Sequence, residues 1–207
     1  MIILYANHTS VSNSYLQKSK GIVTYSKGIA MDYINHYDSP IGGITLASDG
    51  TSLVGLWFDG EKYFGDILAN DYEEMDLPVF AQTAKWLDIY FSGKDPGFLP
   101  PLSMRTTAFR KRVCEIMLQI PFGKTMTYGQ IAAQIAKENG IPHMSAQAVG
   151  GAVGHNSISV IIPCHRVVGS DGSLTGYAGG INKKIALLKL EGADLSDLFI
   201  PKRGTAL

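Results

Sequence analysis

The feature that most constrains the fold of this chain is a change in local pattern on either side of residues 94–101, which contain three prolines and a glycine. Before this segment, short apolar runs are separated by Gly and Asp turn residues, a pattern typical of β-strands. After it, apolar residues recur at helical spacing. We therefore expect an α+β protein with an N-terminal domain at 31–95, a linker at 96–103, a C-terminal domain at 104–195 and a tail at 196–207.

The N-terminal half is predicted to form a small sheet and one helix. Strands are expected at Tyr33–Tyr37, Ile44–Ala47 and Leu53–Phe58. A helix is expected to begin at Pro78 and to end at Gly93. The acidic stretch 70–76 is predicted to be a loop. Because the Asp and Glu residues of this domain fall in turns, we expect them on the solvated surface, and we expect no catalytic group here.

The first thirty residues have no sustained period and do not read as a signal peptide. A much stronger pattern starts at Met31. We expect either that Met31 is the natural start or that residues 1–30 form a loosely attached, poorly ordered extension.

The C-terminal half is predicted to be mainly helical. An amphipathic helix is expected at about 107–119, with Cys114 in its core face. Thr127 and Gln130 match a capping box that begins a second helix, and Ser145 can cap a third. Two helices with a short connection between them, in a basic half, fit a helix-turn-helix.

The third predicted helix, 146–154, has three glycines in nine residues. Each glycine weakens a helix by up to about 1 kcal/mol relative to alanine, so their presence needs a reason. One reason is close approach to the minor groove of DNA, where long side chains would hold the helix away. The other is tight packing on a neighbouring helix of the same chain.

The sequence IPCHRVVG, residues 162–169, has the clearest chemistry. It places Cys164 beside His165 and Arg166 in an apolar run of β type. A thiol is nucleophilic as thiolate, and cationic or proton-accepting neighbours lower its pKa from about 8.5. The alternative is a structural cysteine in a core strand, because free cysteines are often buried.

Composition narrows the class of protein. No apolar run approaches the ~18 residues that cross a bilayer. Two cysteines do not make a disulfide framework, and no Cys/His spacing resembles a zinc site, so we expect a reducing, cytosolic setting and no metal. The net charge of zero divides unevenly, with 6 Lys/Arg against 12 Asp/Glu in residues 1–103 and 12 against 6 in residues 104–207. The basic half suggests a polyanionic partner such as nucleic acid, or only a solvated basic face.

IPCHRVVG resembles the corresponding segment of the methylated-DNA–protein-cysteine methyltransferases, which reverse guanine alkylation directly. The small-residue helix and Asn156 before it, and TGYAGG and LLKLEG after it, extend the resemblance to about residues 31–195. The resemblance implies an N-terminal domain of ribonuclease-H-like type and a C-terminal helix-turn-helix domain, winged-helix-like, that turns a damaged nucleotide into a pocket.

The resemblance also implies the reaction and the partner. The partner is double-stranded DNA that contains alkylated guanine or thymine, and the methyl group of O6-methylguanine, and of O4-methylthymine, passes irreversibly to the protein. Each molecule then acts once, as a monomer, with no cofactor, metal or membrane.

The same resemblance assigns roles around Cys164, the alkyl acceptor. His165 takes the thiol proton through a bridging water, and Glu191 orients the imidazole. Asn156 braces the backbone and the thiol. Tyr128 crowds the phosphate beside the flipped nucleotide and helps to neutralise guanine as the methyl group leaves.

The residues assigned to DNA and base contacts are Gln147, Gly151 and Val153 of the glycine-rich helix and Tyr177 and Ala178 of the loop that covers the base. Gln147 departs from the family, whose members often have an arginine there that inserts into the base stack. We therefore expect weaker or more salt-sensitive DNA binding. Ser157 replaces a frequent proline after Asn156, and Arg166 is expected to make a structural ion pair or backbone hydrogen bond.

Three other functions are compatible with parts of the pattern. A non-enzymatic protein that binds alkylated DNA would keep the fold and lack the acceptor cysteine. A cysteine hydrolase would use a direct thiolate–imidazole pair, which the adjacency of Cys164 and His165 disfavours. A transcription regulator would need base-reading side chains, which the glycine-rich helix lacks.

Overall fold

The computed structural model describes residues 18–19, 22–23, 31–69 and 71–201. Within 1–30 it describes only two short strands, β1 (Lys18–Ser19) and β2 (Ile22–Val23), which pair antiparallel. The rest of the predicted extension lies outside the described residues. None of the described helices is both long enough and apolar enough to span a bilayer.

The N-terminal domain is a four-stranded sheet with one helix. Its elements are β3 (Asp32–Ser39), β4 (Gly42–Ser48), β5 (Leu53–Phe58), β6 (Tyr72–Glu74) and α1 (Pro78–Phe91). The strand order is β5-β4-β3-β6, in which β6 is parallel to β3 and the other pairs are antiparallel. The three predicted strands and the helix are thereby confirmed.

The loop predicted at 70–76 is wrong in part, because β6 lies within it. All three residues of β6 are exposed, so no alternation of apolar and polar residues marks the strand. An exposed edge strand tolerates charged side chains, and here they limit pairing with other chains.

Strand β5 is buried on both faces. Leu56 and Phe58 pack in the main core, whereas Val54 and Trp57 pack in a smaller cluster. The Trp57 ring lies against Gly55, where an added Cβ would come within 1.9 Å of the ring. Because β5 is the edge strand of the sheet, one of its edges is free to pair with the second domain.

The C-terminal domain consists of four helices and one short parallel strand pair. The helices are α2 (Ala108–Met117), α3 (Tyr128–Glu138), α4 (Ala146–Gly154) and α5 (Ile181–Leu190), and the strands are β7 (Met126–Thr127) and β8 (Val167–Val168). The predicted caps are confirmed, with Ser145 capping α4 and both hydrogen bonds of the Thr127–Gln130 capping box formed at α3. Helices α3 and α4 form the expected helix-turn-helix.

The free edge of β5 joins the two domains. Leu53 makes two backbone hydrogen bonds, of 2.8 and 2.9 Å, to residues 101–103. Leu56 makes two more, both of 2.8 Å, to residues 157–159, which lead towards Cys164. The segment 96–103 therefore contributes sheet pairing as well as a connection, and the domain edge fixes the approach to the cysteine.

An ion pair closes the same interface. Arg105, just after the connection, donates two hydrogen bonds of 2.7 Å to the Asp32 carboxylate. Asp32 is fully buried and also accepts from the Ala69 N–H at 2.7 Å. This carboxylate contradicts the expectation that acidic residues of the domain lie in solvated turns.

We expect Asp32→Asn to lower the free energy of unfolding by about 1–3 kcal/mol, because it leaves Arg105 without its partner. The value is at the low end for a broken pair because about a third of the Arg105 side chain is exposed. Urea unfolding measures the loss. Asp38→Asn, an exposed position on the same strand, is the control and should change stability by less than about 0.5 kcal/mol.

Candidate active site

Cys164 begins a 3₁₀-helical turn, Cys164–Arg166, and the predicted extended conformation at this position is wrong. The Cys164 N–H donates to the Ile162 carbonyl at 2.8 Å, and the Arg166 N–H donates to the Pro163 carbonyl at 2.9 Å. The surrounding apolar residues reflect burial on all sides. Such burial gives the same run of side chains in a strand and in a buried turn.

The Cys164 thiol is held in the core by Asn156. Its Sγ accepts a hydrogen bond from Asn156 Nδ2 at 3.2 Å, and the same amide donates to the Ile162 carbonyl at 2.8 Å. Asn156 Oδ1 accepts from the Ile158 N–H at 3.1 Å. The Asn156 side chain therefore braces both the thiol and the backbone before it, the geometry that the predicted role requires.

The thiol is 3% exposed, and burial raises the pKa of Cys164 to about 11, although the Asn156 hydrogen bond and Lys184 act in the opposite direction. The expectation that its sequence neighbours lower this pKa is wrong for the free protein. The side chains of His165 and Arg166 are directed to Glu191. The thiol therefore needs a proton acceptor to become nucleophilic.

The carboxylate of Glu191, the residue that ends α5, collects five hydrogen bonds inside the protein. His165 Nε2 lies 2.6 Å from Oε1, and the Tyr90 hydroxyl donates to the same oxygen at 2.7 Å. Arg166 donates to Oε1 at 3.0 Å and to Oε2 at 2.9 Å. The Gly123 N–H donates to Oε2 at 3.0 Å. The expected structural role of Arg166 is consistent with these bonds.

Protonation states follow from this network. Burial raises the pKa of Glu191, but the hydrogen bonds from His165 and Arg166 and the charge of Arg166 outweigh it and bring the pKa to about 2. Burial lowers the pKa of His165, against the opposing effect of Glu191. A neutral His165 that donates from Nε2 leaves Nδ1 as an acceptor. That atom is buried and has no hydrogen-bond partner in the described part of the chain.

Two tyrosines and the loop after β8 surround the thiol. The Tyr128 hydroxyl donates to the Thr175 carbonyl at 3.1 Å, and burial raises the pKa of Tyr128 to about 12. Tyr177 is 8% exposed, and its buried hydroxyl has no partner among the residues described. Both rings pack in or against the core cluster that contains Cys164. Ala178 follows, half-buried.

The outer surface of helix α4 carries few side-chain atoms, because the helix contains three glycines and three alanines. Gln147 and Gly151 are exposed, as expected for DNA contacts. Val153 is 2% exposed and belongs to the core, which does not fit the contact assigned to it. A Cβ at Gly151 or Gly154 would meet nothing within 4 Å, so packing within the chain does not require glycine at either position.

Sequence reasoning missed three polar side chains at this site. Tyr90 is buried on the apolar face of α1 and donates its hydroxyl to Glu191. Lys184 is fully buried and donates to the carbonyls of Val167 and Thr175 at 2.6 and 2.7 Å. Glu61 is 4% exposed, contrary to the solvated position expected of it. Tyr90 and Lys184 each occupy a position on the otherwise apolar face of a helix, and this polar group in a buried position could have identified them from the sequence.

No group of three or more potential metal ligands occurs in the part of the chain that the structure describes. Both cysteines are free thiols, and Cys114 lies in the core of α2, as predicted. The arrangement around Cys164 therefore consists of a thiol, an imidazole with one free acceptor atom, and an ionised carboxylate.

We expect Glu191→Gln to destabilise the protein by about 3–5 kcal/mol, because it leaves the Arg166 guanidinium buried without an opposite charge. Thermal unfolding measures the change. Glu138→Gln is the matched control, since its partner Arg112 lies on the surface and such pairs contribute about 0–1 kcal/mol. Equal losses in the two variants would contradict the role of Glu191 as the centre of the network.

Comparison with known proteins identifies the family. Two family models match the chain. The ribonuclease-like domain of 6-O-methylguanine DNA methyltransferase matches residues 33–104, and the DNA binding domain matches residues 108–193. Both halves of the predicted fold class are thereby confirmed.

Individual relatives of the chain point to the same family. The methylated-DNA–protein-cysteine methyltransferase of Mycobacterium tuberculosis H37Rv is 45% identical over 159 residues, which cover 75% of this chain and 92% of that protein. The Haemophilus influenzae protein of the same name is 38% identical over 160 residues, 77% of this chain and 86% of that one. The crystal structure of Mycobacterium tuberculosis OGT in complex with DNA superposes with a TM-score of 0.65 at 41% identity, covering 78% of this chain and 92% of that chain. The chain belongs to the methylated-DNA–protein-cysteine methyltransferase family.

Proposed function

We propose that the protein repairs alkylated DNA by direct transfer of the methyl group from O6 of guanine, and also from O4 of thymine, to Cys164. The observation that supports this most is the combination of a braced thiol with the His165–Glu191 pair beside it. The names of the matching relatives and the DNA complex of the Mycobacterium tuberculosis protein support the same reaction and the same partner.

The proton and electron steps can be assigned to this chain's atoms. The thiol proton passes to His165 Nδ1 through a bridging water, and Glu191 stabilises the imidazolium that forms. The thiolate sulfur then attacks the methyl carbon, and the methyl–oxygen bond breaks. Its electron pair remains on the base, which takes up a proton from the Tyr128 hydroxyl, and the proton that the thiol gave to His165 replaces the one lost from that tyrosine. The new bond is a thioether, which has no easy leaving step, so each molecule acts once.

The residues above the thiol would recognise the everted base. In the free protein Tyr128 donates to the Thr175 carbonyl, and we propose that it exchanges this bond for one to the base as the methyl group leaves. Tyr177 supplies a stacking face, and the Ala178 N–H donates to the exocyclic oxygen. Since Cys164 is 3% exposed, Tyr128, Tyr177 and the loop at Ala178 have to move before the base can reach the thiol.

DNA would bind along α3 and α4. The exposed, side-chain-poor surface of α4 fits the minor groove, into which long side chains would not allow close approach. Extrusion of a nucleotide costs a few kcal/mol, and less where alkylation has weakened pairing, which favours damaged sites. Gln147 fills the space left in the base stack without a positive charge.

The other candidate functions have less support. A non-enzymatic lesion binder has no use for a thiol braced by Asn156 beside an imidazole–carboxylate pair. A cysteine hydrolase needs a direct hydrogen bond between thiol and imidazole, whereas His165 Nε2 is directed to Glu191 and Nδ1 has no hydrogen-bond partner among the described residues. We also infer a cytosolic location, where the two free thiols stay reduced.

Incubation with duplex DNA that contains radiolabelled O6-methylguanine should transfer one methyl group per protein molecule, all of it to Cys164, because the thioether does not turn over. Peptide mass mapping locates the label. Cys164→Ala should take up none, whereas Cys114→Ala should react like the wild type, because burial raises the pKa of Cys114 to about 12. Label on another residue, or many transfers per molecule, would contradict the proposal.

Replacement of Gln147 by arginine should tighten binding to methylated duplex by about 3–10-fold at 0.1 M salt, since it adds a cation to the DNA-facing helix. Fluorescence anisotropy over a salt series measures the change. Gln82→Arg adds the same charge to an exposed position of α1 and should have little effect. Unchanged affinity and repair rate in Gln147→Arg would show that arginine confers no advantage at this position.

A further inference from the structure

The turn that follows β5 connects the N-terminal domain to three different parts of the active site. Glu61 Oε1 lies 2.5 Å from the Ser159 hydroxyl, in the segment that leads to Cys164. The Lys62 N–H donates to the carbonyl of Ala178, in the loop over the base, at 3.1 Å. The Tyr63 ring stacks on the imidazole of His155, at the end of α4, with ring centroids 4.1 Å apart. Three consecutive residues, 61–63, thus touch three segments of the proposed lesion pocket.

The backbone of this turn is strained at its tip. Tyr63 has a φ of 66°, in the left-handed region that aromatic residues rarely adopt. Such a conformation costs on the order of 1–3 kcal/mol and persists only where the surrounding contacts impose it. The stacking of Tyr63 on His155 is one such contact. Strain of this kind concentrates at functional sites, and Glu61 lies two residues before Tyr63.

Glu61 is the buried acid of this turn. Its Oε2 accepts from the Phe58 N–H at 2.9 Å, and its Oε1 accepts from Ser159. Burial raises the pKa of Glu61 to about 7, although Ser159, Phe58 and Lys183 act to lower it. The acid therefore changes charge near neutral pH within a closed site.

The position of Glu61 links it to the reacting sulfur. Its negative charge raises the pKa of Cys164 and of Tyr177, so both groups lie within its electrostatic reach. Ser159, which donates to Glu61, connects the acid to the segment that leads to Cys164.

We propose that Glu61 is a positioning residue for methyl transfer. Through Ser159 it holds the segment before Cys164, and its negative charge, when present, opposes formation of the thiolate. The inference rests on the proposed function of Cys164. It gives the N-terminal domain a direct part in the reaction.

The variants Glu61→Ala and Glu61→Gln separate the two effects. Alanine leaves Ser159 and the Phe58 N–H without a partner in the interior, so the single-turnover rate at saturating methylated DNA should fall at least about 10-fold. Binding affinity, measured in the Cys164→Ala background where no reaction occurs, should change less than about 2-fold. Glutamine can keep both contacts, with its carbonyl oxygen accepting from the Phe58 N–H and its NH2 group donating to the Ser159 oxygen, and should restore the rate.

The dependence of the transfer rate on pH separates the effect of the Glu61 charge from the effect of its hydrogen bonds. Below pH 7 the wild-type acid is neutral, so Glu61→Gln and wild type should react at rates within about 2-fold. Above pH 7 ionised Glu61 disfavours the thiolate, so the ratio of the Glu61→Gln rate to the wild-type rate should rise about 3-fold by pH 8.5.

The other charged or titratable groups that face Glu61 or the thiol are the same in both proteins. They are Lys183 and Lys184 on α5, His165, Cys114 and the phenols of Tyr90, Tyr128 and Tyr177. The change in the ratio therefore reports on Glu61.

Asp32→Asn is the control for a merely structural effect, because Asp32 is also a buried acid at the domain interface and contacts Arg105 and the Ala69 N–H. It should lower stability and leave the transfer rate unchanged. Rates for both Glu61 variants equal to wild type at every pH would overturn the inference. Equal losses in Glu61→Ala and Glu61→Gln that match the loss in Asp32→Asn would also overturn it. If Glu61→Ala does not fold, the pH ratio of Glu61→Gln decides alone. Failure of wild type to methylate Cys164 would instead refute the proposed function and, with it, this inference.

Discussion

The structure depends on one buried negative charge, the carboxylate of Glu191. A carboxylate taken out of water costs several kcal/mol unless cations and hydrogen-bond donors surround it. Its donors come from helix α1, from the turn between α2 and α3, and from the 3₁₀ turn after Cys164. These three segments and Glu191 itself must therefore be in place together. The same requirement fixes the His165 ring with Nε2 towards the carboxylate, and Nδ1 has no hydrogen-bond partner among the described residues.

A second constraint is the edge of β5, which would otherwise expose unpaired backbone groups. Residues 101–103 and 157–159 pair along it, so the segment before Cys164 is anchored to the sheet of the other domain. Tyr90 and Glu61 then reach the site from the N-terminal domain. The candidate active site is thus shared between domains, although the proposed nucleophile and the helices proposed to face DNA belong to only one of them.

Local chemistry made much of the fold predictable. Capping residues Thr127 and Ser145 marked the helix starts because they satisfy backbone N–H groups within three residues. Strand β5 followed from its β-branched and aromatic run, whereas β6 did not, since its exposed residues show no periodicity. The turn at Cys164 was mistaken for a strand because a buried segment is apolar whichever backbone conformation it adopts.

The sequence by itself determined the order of helices and strands, the helix-turn-helix, the unusual bareness of α4 and, through resemblance, the identities of Cys164, His165, Glu191 and Asn156. These follow from neighbours a few residues apart or from a continuous motif. Only the tertiary structure decided that Tyr90 contacts Glu191, that Glu61 contacts the segment before Cys164, and that burial raises the pKa of the thiol. The physical reason is that desolvation and hydrogen bonding depend on distances between groups up to 101 residues apart, which local pattern does not encode.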